Sequence, residues 1–98
     1  RQTLERFYAS QCVKDETMAE SIAQAWQVGA STAARPLVVH FNGAFHSDFA
    51  EGTAERTMRR LPGKRVAVLS ILAVENLESQ TPDAIERKRA DYLVYTVK

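Results

Sequence analysis

The chain has 98 residues, 45% of them hydrophobic and 26% charged, with a net charge of +1. This is an ordinary globular composition for one domain spanning 1–98, and it excludes a dedicated nucleic-acid binder, which needs a large basic excess. The longest apolar run, Val66 to Val74, is interrupted by Ser70 and is too short to span a bilayer; the lone Cys12 excludes an intramolecular disulfide and a cysteine-cluster metal site.

Thr3 is a candidate N-cap, and no Pro or Gly interrupts the chain before Gly29, so one long helix, or two abutting ones, is expected over about 4–28. At about 100° per residue, Leu4, Phe7, Tyr8, Met18, Ile22, Ala25 and Trp26 share one face, opposite Glu5, Arg6, Glu16, Thr17, Glu20 and Gln24. Gln11 and Asp15 project into the apolar stripe, with Lys14 at its edge. A carboxylate facing a core must be paired or bonded, since stranding it there costs several kcal/mol. Either this part of the helix overhangs into water or touches a loop N–H, or Gln11, Lys14 and Asp15 line a polar pocket.

Gly29 to Arg35 reads as a loop closed by Pro36. The run 37–42 is apolar on both faces, as a central parallel strand covered by helices would be; His40 within it reads as a core histidine. Asn42-Gly43 permits a sharp turn that presents Phe45 and His46 just past the strand end, where ligands of open α/β sheets bind. His46 can bind a metal, shuttle a proton or bond an anionic ligand, or it can be a plain loop histidine. Asn42 can orient it or donate to a ligand, or simply turn the chain. Phe45, Phe49 and Trp26 are candidate walls of an apolar pocket, or core.

Thr53 is the expected N-cap of a helix ending near Leu61, stopped by Pro62-Gly63. Arg56, Arg59, Arg60, Lys64 and Arg65 cluster around its exit, as a solvated face or as partners of an anionic ligand. A second strand is expected over Arg65 to Leu72, giving a right-handed parallel β-α-β unit over 37–72. Thr81-Pro82 signals a short helix to about Arg89, and Asp91 to Val97 a last strand. The expected fold is therefore α/β: a three-stranded, mostly parallel sheet, a long N-terminal helix and a β-α-β unit. Strands apolar on both faces need more cover than these helices provide. That makes the chain, which does not begin with Met, read as a fragment of a larger α/β domain completed by the rest of its polypeptide or by a second copy. No nucleophile elbow, phosphate loop, dinucleotide fingerprint, zinc helix or EF-hand pattern occurs.

Three stretches, Gln11–Ala19 (QCVKDETMA), Asn42–Arg56 (NGAFHSDFAEGTAER) and Arg59–Gly63 (RRLPG), resemble the C-terminal part of the ChaN-like haem-binding, iron-regulated lipoproteins. The wider group includes the Tiki proteases and erythromycin esterases; its Gly-x-x-His signature is matched by Gly43-Ala44-Phe45-His46, while its upstream glutamates have no counterpart here. The resemblance implies a haem-binding protein of the bacterial cell envelope. It would be periplasmic or held at the outer membrane by a lipid anchor outside this chain, would act in haem and iron acquisition, and would be dimeric with tyrosine ligation. Tyr8, Tyr92 and Tyr95 are the tyrosines available. The expected ligand-facing set is His46, Asn42, Gly43, Gln11, Lys14, Asp15 and Tyr8, with His46 also the candidate metal ligand and no catalytic residue assigned. The alternative is a metal-dependent hydrolase in which His46 is a metal ligand or general base and Asp15 a second carboxylate. A third possibility is a structural half-domain whose site is completed elsewhere.

Overall fold

The computed structural model describes residues 2–32 and 35–98. Helix α1 spans Gln2–Thr32, α2 Gly52–Arg60, strand β1 Leu69–Val74, a short α3 Glu86–Arg89, and β2 Tyr92–Val97. Two 3-10 turns, Ala44–His46 and Asp48–Ala50, bridge to α2. The protein is a mixed α/β fold in which β1 and β2 pair in parallel, from Leu69 opposite Tyr92 to Val74 opposite Val97. Parallel pairing requires a crossover, supplied by residues 75–91 with α3.

The first helix is one continuous element and outruns its expected end. Gly29 does not break it. The glycine is there for contact: a Cβ at this position would lie 3.0 Å from Pro36 Cβ. Ser31 and Thr32 end the helix by donating their hydroxyls back to the carbonyls of Val28 and Gly29, a local alternative to further helical bonding. Of the expected loop 29–35, residues 33–34 lie outside the described residues.

The seam that docks α1 is narrower than the apolar stripe. Its buried residues are Asp15, Ala19 and Ala23, spaced four apart on one line. They face the buried Thr53, Ala54 and Thr57 of α2, so small side chains let the helices approach closely. Leu4, Phe7 and Tyr8, expected on the packed face, are exposed because α2 reaches only the middle of α1. Glu16 was expected to face away and instead flanks the seam. It accepts from Arg56 Nε at 3.1 Å and Arg60 Nη2 at 3.0 Å.

The Arg60 hydrogen bond, followed by the charges of Arg60 and Arg56, holds the Glu16 carboxyl below its ordinary range. A depressed carboxylate stabilises the fold above its unfolded value of about 4.3 and loses that contribution as pH falls through its lower folded value. The expected outcome is a fall in urea midpoint below about pH 4.3 that Glu16→Gln flattens. Equal slopes in the two proteins would show that this bridge does not couple the helices.

The three-stranded sheet is not formed. The run expected to be its first strand, 37–42, forms no strand and has no ladder, and the sheet among the described residues has two strands. A ladder needs another chain about 4.8 Å away, and a hollow separates this run from 65–71. The last helix forms only over Glu86–Arg89. Before it, Asp83 and Glu86 exchange side chain–backbone bonds, Asp83 N to Glu86 Oε2 and Glu86 N to Asp83 Oδ1, a capping box that starts the helix later than Thr81-Pro82 suggested.

The connection into α2 is held under backbone strain. Phe49 and Ala50 have φ of 61° and 56°, a conformation that costs non-glycine residues roughly 1–2 kcal/mol each. Asp48 anchors it: its carboxylate accepts from the buried Ser70 hydroxyl at 2.6 Å and pairs with Arg89, whose guanidinium lies over the Phe49 ring. One carboxylate thus ties the loop to β1 and to α3.

Candidate functional site

The segment Asn42–Ser47 closes into a tight turn. His46 N donates to Gly43 O at 2.9 Å and Ser47 N to Ala44 O at 3.1 Å. The Asn42 side chain does not orient His46; its Oδ1 accepts from the Ser47 hydroxyl at 3.1 Å and locks the turn. Phe45 stays exposed and meets the His46 ring edge-on, with centroids 5.4 Å apart.

His46 faces the long helix. Its Nδ1 lies 2.7 Å from Asp15 Oδ1, and Thr53 Oγ1 donates to the same oxygen at 2.9 Å. A carboxylate only accepts, so the Nδ1 hydrogen is the one shared with Asp15, and Nε2 is the nitrogen left for any ligand. Asp15 is 7% exposed. Its second oxygen is 3.9 Å from Arg56 Nη1, which also donates to the Gly52 carbonyl at 3.2 Å. The buried carboxylate is thereby matched by a hydroxyl, an imidazole and a guanidinium, which resolves the mid-stripe position of Asp15. Hydrogen bonds to a charged group are worth roughly 1.5–3 kcal/mol each, so this group of contacts is a principal tie between α1 and the 42–53 segment.

Gly52 makes the approach possible. Its φ is +57°, and a Cβ there would lie 2.6 Å from the His46 carbonyl oxygen and 3.3 Å from Asp15 Oδ1. The chain must turn with left-handed backbone where His46 and Asp15 leave no room for a side chain, and only glycine satisfies both conditions.

A cleft of about 410 Å³ opens beside His46, between α1 and the turn, lined by Val13, Lys14, Thr17, Met18, Phe41, Asn42 and Gly43. Of the expected ligand-facing set, His46, Asn42, Gly43 and Lys14 therefore gather at one cleft, with Asp15 directly behind His46. Gln11 is half-buried but does not line the cleft. Tyr8 is 70% exposed and outside it, and a hydrogen bond with Cys12 pushes its phenol above the usual range. Burial, then Glu86, raises Tyr95 as well, and its hydroxyl donates to Glu86 Oε2 at 3.2 Å. Both effects oppose forming a phenolate. Trp26, Phe45 and Phe49 do not wall one pocket: Trp26 packs under Lys64 with the ammonium 4.6 Å from its ring centre, Phe45 meets His46, and Phe49 lies under Arg89.

Thr53, Arg56 and Gly52 are the site residues that sequence reasoning passed over. Thr53 was expected to cap α2, but the preceding Glu51 occupies that position and the Thr53 hydroxyl turns to Asp15. Arg56 was one of a basic cluster and is the member that reaches inward. Spacing held a signal: Gly52, Thr53 and Arg56 lie on one turn of helix. Among the described residues, no three His, Cys, Asp or Glu side chains gather as a metal site, and no helix is long and apolar enough to cross a membrane.

Residues 1–57 match the model of a family described as haem-binding uptake, Tiki superfamily, ChaN. No curated protein and no solved structure matches the chain.

Proposed function

Since this chain belongs to the ChaN family of haem-binding uptake proteins in the Tiki superfamily, we propose that it binds haem through the cleft beside His46 and serves haem and iron acquisition in the bacterial cell envelope. The observation that carries the siting is the 2.7 Å bond between His46 Nδ1 and the buried Asp15. Carboxylate–imidazole pairing fixes ring orientation and makes the outer nitrogen more basic, the usual arrangement behind a metal-ligating histidine.

The cleft suits the group on chemical grounds. Its volume of about 410 Å³ lies in the range of small-molecule and cofactor sites. Val13, Met18 and Phe41 offer apolar contact for a porphyrin face, and Lys14 a cation for its carboxylates. His46 Nε2 would hold the iron, while Asp15, itself bonded by Thr53, holds the imidazole in register. Bound haem would supply redox-active iron as cargo for uptake. Tyr8 and Gln11 are outside this reading. A partner subunit and a lipid anchor outside these residues belong to the same proposal.

Haemin titration followed at the Soret band tests it. The wild-type chain is expected to shift the band. His46→Ala is expected to weaken binding at least about tenfold, roughly 1.4 kcal/mol. A wild-type protein without a Soret shift would overturn haem binding; unchanged affinity in His46→Ala would move the site elsewhere.

A second reading rests on the same hydrogen bond. An imidazole backed by a carboxylate is also a general base, and in a metal-dependent hydrolase His46 would act in that role or as a ligand, with further donors from outside this cluster. Zinc- or manganese-dependent hydrolysis, lost in His46→Ala and unaccompanied by haem binding, would favour it.

A further inference from the structure

The segment between His46 and Thr53 carries the site at both of its ends. His46 Nδ1 and Thr53 Oγ1 reach the same oxygen, Oδ1 of Asp15, at 2.7 and 2.9 Å. Between them the backbone is left-handed at Phe49, Ala50 and Gly52, with φ of 61°, 56° and 57°. Glycine adopts that conformation freely, whereas at Phe49 and Ala50 the Cβ crowds the following carbonyl. Two adjacent non-glycine residues of this kind persist only where surrounding contacts over-determine them.

Those contacts come from far along the chain. Asp48, at the start of the strained pair, accepts from the Ser70 hydroxyl of β1 at 2.6 Å and pairs through its other oxygen with Arg89 of α3. Ser70 is 3% exposed and the Asp48 side chain 11%, so water competes little with these charge-assisted bonds. The Arg89 guanidinium also lies over the ring of Phe49, 5.4 Å from its centre, and steadies the first strained residue. It is kept there although, among the described residues, its Nε is buried without an acceptor. None of Asp48, Ser70 and Arg89 lines the cleft at His46, and Ser70 and Arg89 lie beyond residues 1–57, where the family match ends.

We propose that Asp48 is a positioning residue for the His46 site: clamped by Ser70 and Arg89, it holds the strained Phe49–Ala50 backbone in the path that brings His46 and Thr53 together on Asp15. Without the clamp, Phe49 and Ala50 relax to negative φ. Torsion changes at two consecutive residues redirect the chain on either side, so His46 and Thr53 no longer share one acceptor. The orientation of the imidazole is therefore set in part from β1 and α3, whose residues do not line the cleft. The consequence for ligand affinity rests on haem binding at His46; the consequence for the imidazole does not.

NMR of the unliganded protein tests this through the His46 Nδ1–H proton, which a buried carboxylate protects from exchange with water. Arg89→Met removes the charge and keeps an apolar stem over Phe49; Asp48→Asn removes the other charge and keeps the shape. In both, the proton is expected to exchange at least about tenfold faster and haemin affinity to fall about tenfold, while the amides of Ala19 and Ala23 in the α1–α2 seam exchange as in wild type. Adding Ala50→Gly, which relieves the left-handed backbone at that position, is expected to recover most of both losses. By itself, Ala50→Gly is expected to raise the melting temperature with the His46 signal intact, and a fall would overturn the strain on which the proposal stands. An unchanged His46 signal in both charge-removing variants would overturn it too. So would a loss that Ala50→Gly does not recover, because Asp48 would then act through general packing. The expected imidazole pattern in a protein that gives no Soret shift would support the positioning role and overturn haem binding alone.

Discussion

Asp15→Ala is expected to destabilise the chain by about 2–3 kcal/mol, the upper part of the range for losing a hydrogen bond to a charged group. For a domain of this size that is a fall of roughly 10–20 °C in melting temperature. The size follows from convergence. The substitution removes the acceptor of both His46 Nδ1 and Thr53 Oγ1, and Thr53 is 2% exposed, so its hydroxyl would be buried without that partner. Asp15→Asn separates site from scaffold. The amide oxygen still accepts from one neighbour, so most of the fold survives, but the negative charge behind the imidazole is gone. Loss of such a partner usually costs a ligating histidine about 10–100-fold in affinity, and that is the expected loss in the haemin titration. A melting temperature unchanged in Asp15→Ala would show that this hydrogen bond does not hold α1 to the turn.

Gly52→Ala is expected to cost about 2–3 kcal/mol and to weaken haemin binding with it. About 1–2 kcal/mol comes from placing alanine at φ +57°. The remainder comes from a Cβ 2.6 Å from the His46 carbonyl oxygen, which forces the turn away from Asp15. Gly63 provides the control. Its φ is +79°, but no atom lies within 4 Å of where its Cβ would be. Gly63→Ala therefore reports the backbone cost alone, and the difference between the two melting temperatures isolates the crowding at His46. Equal losses would mean that the turn yields without cost.

Much of the secondary structure was legible, because hydrophobic period and punctuation are local. The long helix, the helix ending at Pro62-Gly63 and the two later strands were expected within a few residues of where they lie. The boundaries that moved did so through side-chain bonds to backbone: Ser31 and Thr32 ending α1, and Asp83 and Glu86 starting α3. Asp15 was conspicuous as a carboxylate in an apolar stripe, and His46 as a residue past a strand end. Their meeting was expected as a shared hollow, and the structure joins them directly. Thr53 was assigned to a cap because a sequence offers no means of seeing that its hydroxyl has a better acceptor on another helix.

Residue order alone determined where the helices and the two later strands lie and that a polar residue in the first helix needed a partner; the parallel β-α-β unit expected over 37–72 does not form, and the parallel pair observed is β1 with β2. Only the tertiary structure decided who that partner is, that α1 docks along the Asp15–Ala19–Ala23 line instead of its broadest apolar face, and that 37–42 lacks a ladder. Periodicity and turn chemistry act over a few residues and are written in the sequence. Hydrogen bonds across 31 or 38 positions, and the presence or absence of a neighbouring strand, depend on where separate elements come to rest.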